Sequence, residues 1–324
     1  MAQLELFLQT LISGFLLGGL YALIALGMAL IMGVMRVINL AHGDFMMIAM
    51  YIAYWMFTLF GIDPYISVFI AAPALFLFGL FIQKYLLTPV MKVESILPHN
   101  QVILTVGLAM VFSNLATVLF TGNYRSTPVN YASSAWYLTD YWKNSPIELS
   151  LSMPWTISFI IAAIITVGLW IFLTKTDTGK SIRATSQDLD AALLMGVNVN
   201  WVRMVTLGIG LVLVACAGCL FLPIYYLYPA LGKQFTNVGF VIAVIGGMGS
   251  TDGALIGGLI LGIFESLTAT YIGMGWAPAG RFAIFVAALV FLPGGVASII
   301  KKWRLGKVLK FHSYRSTGLC KRAR

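Results

Sequence analysis

Residues 6–35 read LFLQTLISGFLLGGLYALIALGMALIMGVM and carry no charged side chain. As a helix this run extends about 45 Å at 1.5 Å per residue, more than the ~30 Å hydrocarbon core of a bilayer. It is too long for the core of a secretory signal, and no basic residue precedes it. It reads as an uncleaved first membrane helix, tilted or broken.

The rest of the chain extends this reading. Of 324 residues, 60% are hydrophobic and 10% charged, with a mean hydropathy of +0.92. A soluble domain is about 25% charged, so a soluble enzyme is excluded, and so is disorder. A channel, a transporter subunit and a membrane-embedded enzyme are left. Further charge-free stretches lie at 45–62, 64–83, 95–124, 149–174, 204–232, 234–251 and 282–300, and 253–280 is interrupted only by Glu265. A span needs about 20 apolar residues. The expected fold is therefore all-α: a polytopic transmembrane bundle of about 8–9 helices over residues 1–300, followed by a tail, 301–324. No internal repeat is visible.

Net charge is +9, and the tail holds nine Lys/Arg and no acid. A basic tail after an apolar helix marks the cytoplasmic side and suits anionic membrane lipid. Nucleic acid is not an expected partner in this setting. The basic loop 175–203 (Lys175, Lys180, Arg183, Arg203) goes on the same side. An even number of crossings must separate loop and tail, so 234–251 must cross although it is short and Gly-rich. Counting back puts the N-terminus outside, with sixteen Lys/Arg inside against four outside: Arg125, Lys143, Lys233 and Arg281. The outer loop, about 122–153, carries Tyr124, Tyr131, Trp136, Tyr137, Tyr141 and Trp142, read as an interfacial aromatic belt in preference to a docking surface. Cys216 and Cys219 sit in an apolar run and are read as helix-packing residues, not a redox pair.

The inner loop, about 175–202, contains DTGKSIRATSQDLDAALLMGVNVN at 177–200. Ile182, Leu189, Ala192, Leu193 and Gly196 fall near a 3.6-residue spacing. The expectation is one short amphipathic helix, capped by Asp177 or Thr178 and ended by a left-handed Gly196. Two readings stand: a helix lying on headgroups, or a peg seated in another protein. Gly179-Lys180-Ser181 resembles the end of a phosphate-binding loop, but the motif needs glycine where Thr174 stands. If ATP drives this protein, another chain hydrolyses it.

Asp190-Ala191-Ala192, followed by Gly196, is similar to the E-A-A-x-x-x-G coupling motif of ABC importer permeases, with Asp in place of the usual Glu. Thr178-Gly179, Arg183-Ala184 and Gly196-Val197-Asn198 resemble the version found in branched-chain amino acid permeases. So do Asn39-Leu40-Ala41-His42-Gly43-Asp44 and the Gly-rich Gly246-Gly247-Met248-Gly249-Ser250. The likeness runs from about residue 8 to 298. It departs at Leu292-Pro293-Gly294-Gly295 and has no counterpart for the tail. The resemblance implies a non-enzymatic inner-membrane subunit that moves branched-chain amino acids, or urea or short amides, inward by alternating access. It implies two ABC ATPase subunits holding ATP and Mg, a second similar permease chain and a periplasmic substrate-binding protein, with no cofactor in this chain. The coupling residues it implies are Gly179, Arg183, Asp190, Ala191, Ala192 and Gly196.

Within the membrane, Glu265 lies about 18 Å from the inner end of its expected helix. An acid at that depth is either functional or a packing acid held by neighbouring hydroxyls. Gly249, Gly253 and Gly257, with Gly258 and Gly262, form ladders that favour close helix packing. Alternatively, a broken helix at Gly246, Gly247, Gly249 and Ser250 exposes backbone groups to a ligand beside Glu265. His42 is read as a hydrogen-bonded loop residue at a membrane boundary, and no metal set appears. The rivals are a lone secondary transporter, which should show inverted repeats, a channel, and a membrane enzyme.

Overall fold

The computed structural model describes residues 2–93, 99–137, 149–299 and 301. The tail beyond 301, Tyr141, Trp142 and Lys143 lie outside them. Eight helices among the described residues are long and apolar enough to cross a membrane, and Leu231–Gly246 is a shorter apolar helix. The all-α polytopic bundle follows.

The first helix, α1 (Ala2–Met35), is continuous over 34 residues. It is the axis of the bundle: 89% of its apolar window is buried inside the protein, against 11% for the peripheral spans Asn100–Phe120 and Met274–Ile299. One end meets a short hairpin. There the Gln9 amide donates to the Ser150 carbonyl (2.6 Å) and its oxygen accepts from the Ser150 N–H (3.2 Å). At the other end Gly33 faces Gly249 and Ser186. The first is called the hairpin end, and the second the coupling end, after the coupling motif that residues 190–196 resemble.

After Met35 the chain doubles back into the bundle. Helix α2 (His42–Phe60) begins where His42 Nε2 meets the Ile24 carbonyl at 3.0 Å. Ile24 is eleven residues before Met35, about 16 Å up α1. His42 is therefore fully buried at mid-depth and not at the membrane boundary expected from sequence. Helix α3 (Val68–Ile82), a π-helical turn (Gln83–Leu87) and α4 (Thr88–Val93) return to the coupling end, and α5 (His99–Phe120) leaves it. Strands β1 (Ala135–Tyr137) and β2 (Ser150–Ser152) pair antiparallel, Trp136 opposite Leu151. Tyr131 of the outer loop folds onto the protein, stacked on Tyr65 and donating to Asp63 Oδ2 at 2.8 Å. Helix α6 (Met153–Lys175) crosses back. Helices α7 (Asp177–Gln187) and α8 (Leu189–Leu194) follow at the coupling end.

Helix α9 (Val199–Phe221) runs antiparallel to α1: Gly210 faces Gly27, and Phe221 stacks on Tyr21. Residues 222–230 then dip inward, tied to the outer loop by the Arg125–Leu227 bridge. Helix α10 (Leu231–Gly246) starts beside the start of α2, where the Gly43 N–H donates to Thr236 Oγ1 at 2.8 Å. At 16 residues it is about 24 Å long, too short for a full span. This corrects the simple crossing expected for 234–251. Two broken helices thus meet N-terminus to N-terminus at mid-depth. The buried Asp44, in the first turn of α2, suits their positive ends. A Cβ at Gly232 would lie 2.8 Å from the Asp44 Cα, so only glycine lets them touch.

The α1–α2 and α9–α10 units share one plan in opposite directions: a long buried helix, a dipping segment, and a helix that starts inside. This inverted repeat is absent from the sequence reading. Helix α11 (Thr251–Tyr271) and α12 (Ala277–Phe291), joined through a 3-10 turn at Met274–Trp276, complete the bundle. The glycine ladders pack α11 on two neighbours. Gly257 meets Ile242 and Gly246 of α10, whereas Gly258 meets Ala22 of α1. Cys216 and Cys219 are free and buried in α9.

Candidate functional site

The coupling end is built from two helices, not the single one expected. The chain breaks at Asp188 (φ −147°), whose carboxylate accepts from the N–H groups of Asp190 (3.0 Å) and Ala191 (3.1 Å) and so caps α8. At the start of α7 the cap is Thr176, whose hydroxyl accepts from the Gly179 N–H at 3.0 Å, in place of the Asp177 or Thr178 expected. Asp177 instead pairs with Lys180 at 2.9 Å, which holds its carboxyl below the usual carboxylate range. Both are exposed, so the pair adds little stability.

Gly179 is buried. A Cβ there would sit 2.6 Å from the Leu173 Cα, so its role in this fold is to let α7 close on α6. Ala192 is buried as well, while Arg183, Asp190, Ala191 and Gly196 face outward. Gly196 takes the left-handed conformation (φ +82°) expected of it. At the variable positions inside the motif, the tip of α8 is apolar and bare: Leu194 is 89% and Met195 83% exposed. Helix α7 rests on α1, α6 and α9, so the tip stands on the core of the bundle.

The second feature is a cleft of about 520 Å³ at the hairpin end. Ile12, Leu16 and Leu17 of α1, Leu151 of the hairpin, Trp155 and Met274 give it apolar walls. Glu265 is the fifteenth residue of α11, about 21 Å from the coupling end of that helix. Arg281, the fifth residue of α12, places its Nε 3.4 Å from Glu265 Oε2. Only 9% of Glu265 and 8% of Arg281 is exposed, and neither of these two atoms has an aligned hydrogen bond among the described residues. The Tyr21 hydroxyl reaches the Glu265 carboxylate, with Tyr225 beside it. Ser266 turns away and donates to the Thr10 carbonyl at 2.9 Å. Arg281 also lines a neighbouring cleft of about 380 Å³ with Lys233, Gln234 and Asn237 of α10.

This geometry revises three expectations. Arg281 is a buried partner of Glu265, not an outer-loop charge. Gly246, Gly247, Gly249 and Ser250 form the turn from α10 to α11 at the coupling end, with Ser250 Oγ accepting from the Gly253 N–H at 3.1 Å. They therefore do not share a site with Glu265. The helix break at the cleft is instead 222–230, which lines it through Tyr225. Arg281 and Tyr21 escaped the sequence reading. A signal was available for Arg281: it lies about as far past the turn at 272–276 as Glu265 lies before it, so a helical hairpin sets both at one depth. Among the described residues no group of three or more His, Cys, Asp or Glu could hold a metal.

Residues 10–293 match the family model described as branched-chain amino acid transport system / permease component. The chain is 28% identical to the high-affinity branched-chain amino acid transport system permease protein LivH of Escherichia coli K12, over 91% of this chain and 96% of that one. It is 28% identical to BraD of Pseudomonas aeruginosa, a protein of the same description, over 91% and 97%. It is 27% identical to a probable branched-chain amino acid transport permease protein LivH of Methanocaldococcus jannaschii, over 86% and 89%. No solved structure gives a significant match. A match across 10–293, on a multi-pass helical bundle, means that the chain belongs to the permease-component family of branched-chain amino acid transport systems.

Proposed function

We propose that the chain is the inner-membrane permease subunit of an ATP-driven importer that moves branched-chain amino acids inward by alternating access. The carrying observation is the bare apolar tip Leu194-Met195, held by a capped helix pair directly on the buried helices α1 and α9. Such a surface is a knob for another protein's pocket. The coupling end then faces the cytosol, where two ATPase subunits carry ATP and Mg and seat the knob. The hairpin end and the N-terminus face outward, and the cleft there receives substrate from a soluble binding protein. A second permease chain completes the translocation route. Hydrolysis belongs to the partners. The charged pair in the cleft favours a zwitterion over urea or an amide, since a neutral ligand leaves charged groups unmatched.

The test is uncoupling. Asp190→Arg reverses a charge on the exposed face of α8, and Gly196→Leu forces a side chain into φ +82°, a strain of about 1–2 kcal/mol. Both variants should insert, while leucine uptake falls and ATP hydrolysis loses its dependence on substrate. Normal coupled uptake by both contradicts the reading.

A further inference from the structure

We propose that Glu265 and Arg281 together form the receptor for the zwitterionic head of the transported amino acid, the carboxylate of Glu265 taking the substrate ammonium and the guanidinium of Arg281 its carboxylate. This rests on the reading that the cargo is an amino acid.

Four observations carry it. The two groups are more than nine-tenths buried yet line an open cleft. Their mutual contact is loose: at 3.4 Å, Arg281 Nε and Glu265 Oε2 form no aligned hydrogen bond. A structural arginine–carboxylate lock is usually short and forked. Here the fork is left for a planar carboxylate, the geometry guanidinium recognises best. Third, the balance of charge is conserved. In the empty cleft the pair neutralises itself, as buried ions must. When a zwitterion inserts, its two charges replace that contact with two opposite-sign contacts, and no charge is left bare. An amine or an acid alone leaves one unmatched. Fourth, the walls beside the pair are aliphatic and aromatic, from Leu16, Leu17 and Trp155, and suit a branched side chain. The cleft volume falls within the range of small-molecule sites.

The assembled transporter in liposomes, with its binding protein, is assayed for radiolabelled L-leucine uptake. Glu265→Gln and Arg281→Gln should each lower uptake by about 30-fold or more, because each leaves a buried charge without its partner, while co-purification with the ATPase is unchanged. The double exchange Glu265→Arg with Arg281→Glu restores an internal ion pair. It should not restore L-leucine uptake, since exchanging two substituent sites around a tetrahedral carbon demands the opposite enantiomer. A structural lock would be repaired by the exchange, so uptake within about threefold of wild type would overturn the proposal. A measurement on the wild-type assembly needs no variant. Saturation-transfer NMR should show L-leucine bound and neither 3-methylbutylamine nor 4-methylpentanoate; equal signals from all three would also overturn it. If the wild-type assembly takes up urea and no leucine, the functional reading itself has failed. If it takes up leucine and the exchange variant does too, only the receptor has failed.

Discussion

Replacing Leu194 by alanine removes three carbons from a side chain that touches almost nothing in its own chain, being 89% exposed. If that side chain is buried in an ATPase groove, the loss is about 0.8 kcal/mol for each buried methylene-sized group, or about 2 kcal/mol. Since 1.4 kcal/mol is a factor of ten, docking weakens about 30-fold. Met195→Ala removes a similar volume at 83% exposure. The double variant loses more, though less than the sum, because neighbours in one groove are not independent. The folded chain should not notice: surface substitutions of this kind shift stability by no more than about 0.5 kcal/mol. The assay is the dissociation constant of the ATPase from the permease in nanodiscs, read beside the melting temperature of the permease alone. An unchanged dissociation constant in the double variant refutes the docking argument. So does a lowered melting temperature with unchanged docking, since it would make the tip a packing element.

Further outcomes follow from the same geometry. Gly232→Ala should reduce folded, membrane-extracted protein, because its Cβ would lie 2.8 Å from the Asp44 Cα and overpacking costs about 1–3 kcal/mol. Gly168→Ala in α6, where a Cβ meets nothing within 4 Å, should instead stabilise by about 0.5–1 kcal/mol; thermal stability of the two purified variants compares them. Asp188→Ala removes the cap of α8 and should cost about 1 kcal/mol locally, read as faster proteolysis at 188–196. Tyr131→Phe deletes a hydrogen bond to the Asp63 carboxylate, worth about 1.5–3 kcal/mol, and should expose the outer loop to hydrogen exchange. Burial and Asp63 push the Tyr131 hydroxyl above its ordinary range. Its neutral form is therefore favoured by folding, so the tie is fully present below about pH 10 and weakens in more alkaline solution.

The apolar spans were legible because charges punctuate the chain and most of the intervals between them are long enough to cross. Gly196 was legible too, since the residue that ends a helix in a left-handed turn is usually glycine. The broken helices were not. His42 and Asp44 look like loop residues because their neighbours, the Ile24 carbonyl and Gly232 in the first turn of α10, come from distant sequence. The inverted repeat stayed hidden for a similar reason: what the two units share is backbone path, and the dipping segments differ in length and residues. Arg281 was counted as a loop charge because charge-counting assigns side and not burial. The Gly-rich run at 246–250 carried two readings, close packing first and a ligand-facing break as the alternative; the glycines serve close packing at the coupling end, a distinction that composition does not carry. The inverted repeat also removes one argument against a lone secondary transporter, which was expected to show such a repeat.

Energy source therefore decides the account. The measurement is leucine accumulation in sealed vesicles holding the chain with its partner permease, ATPases and binding protein. Uptake against a gradient should require hydrolysable ATP and the binding protein, and should persist when a proton ionophore collapses the membrane potential. Accumulation driven by a proton or sodium gradient without ATP, by this chain alone, would contradict it.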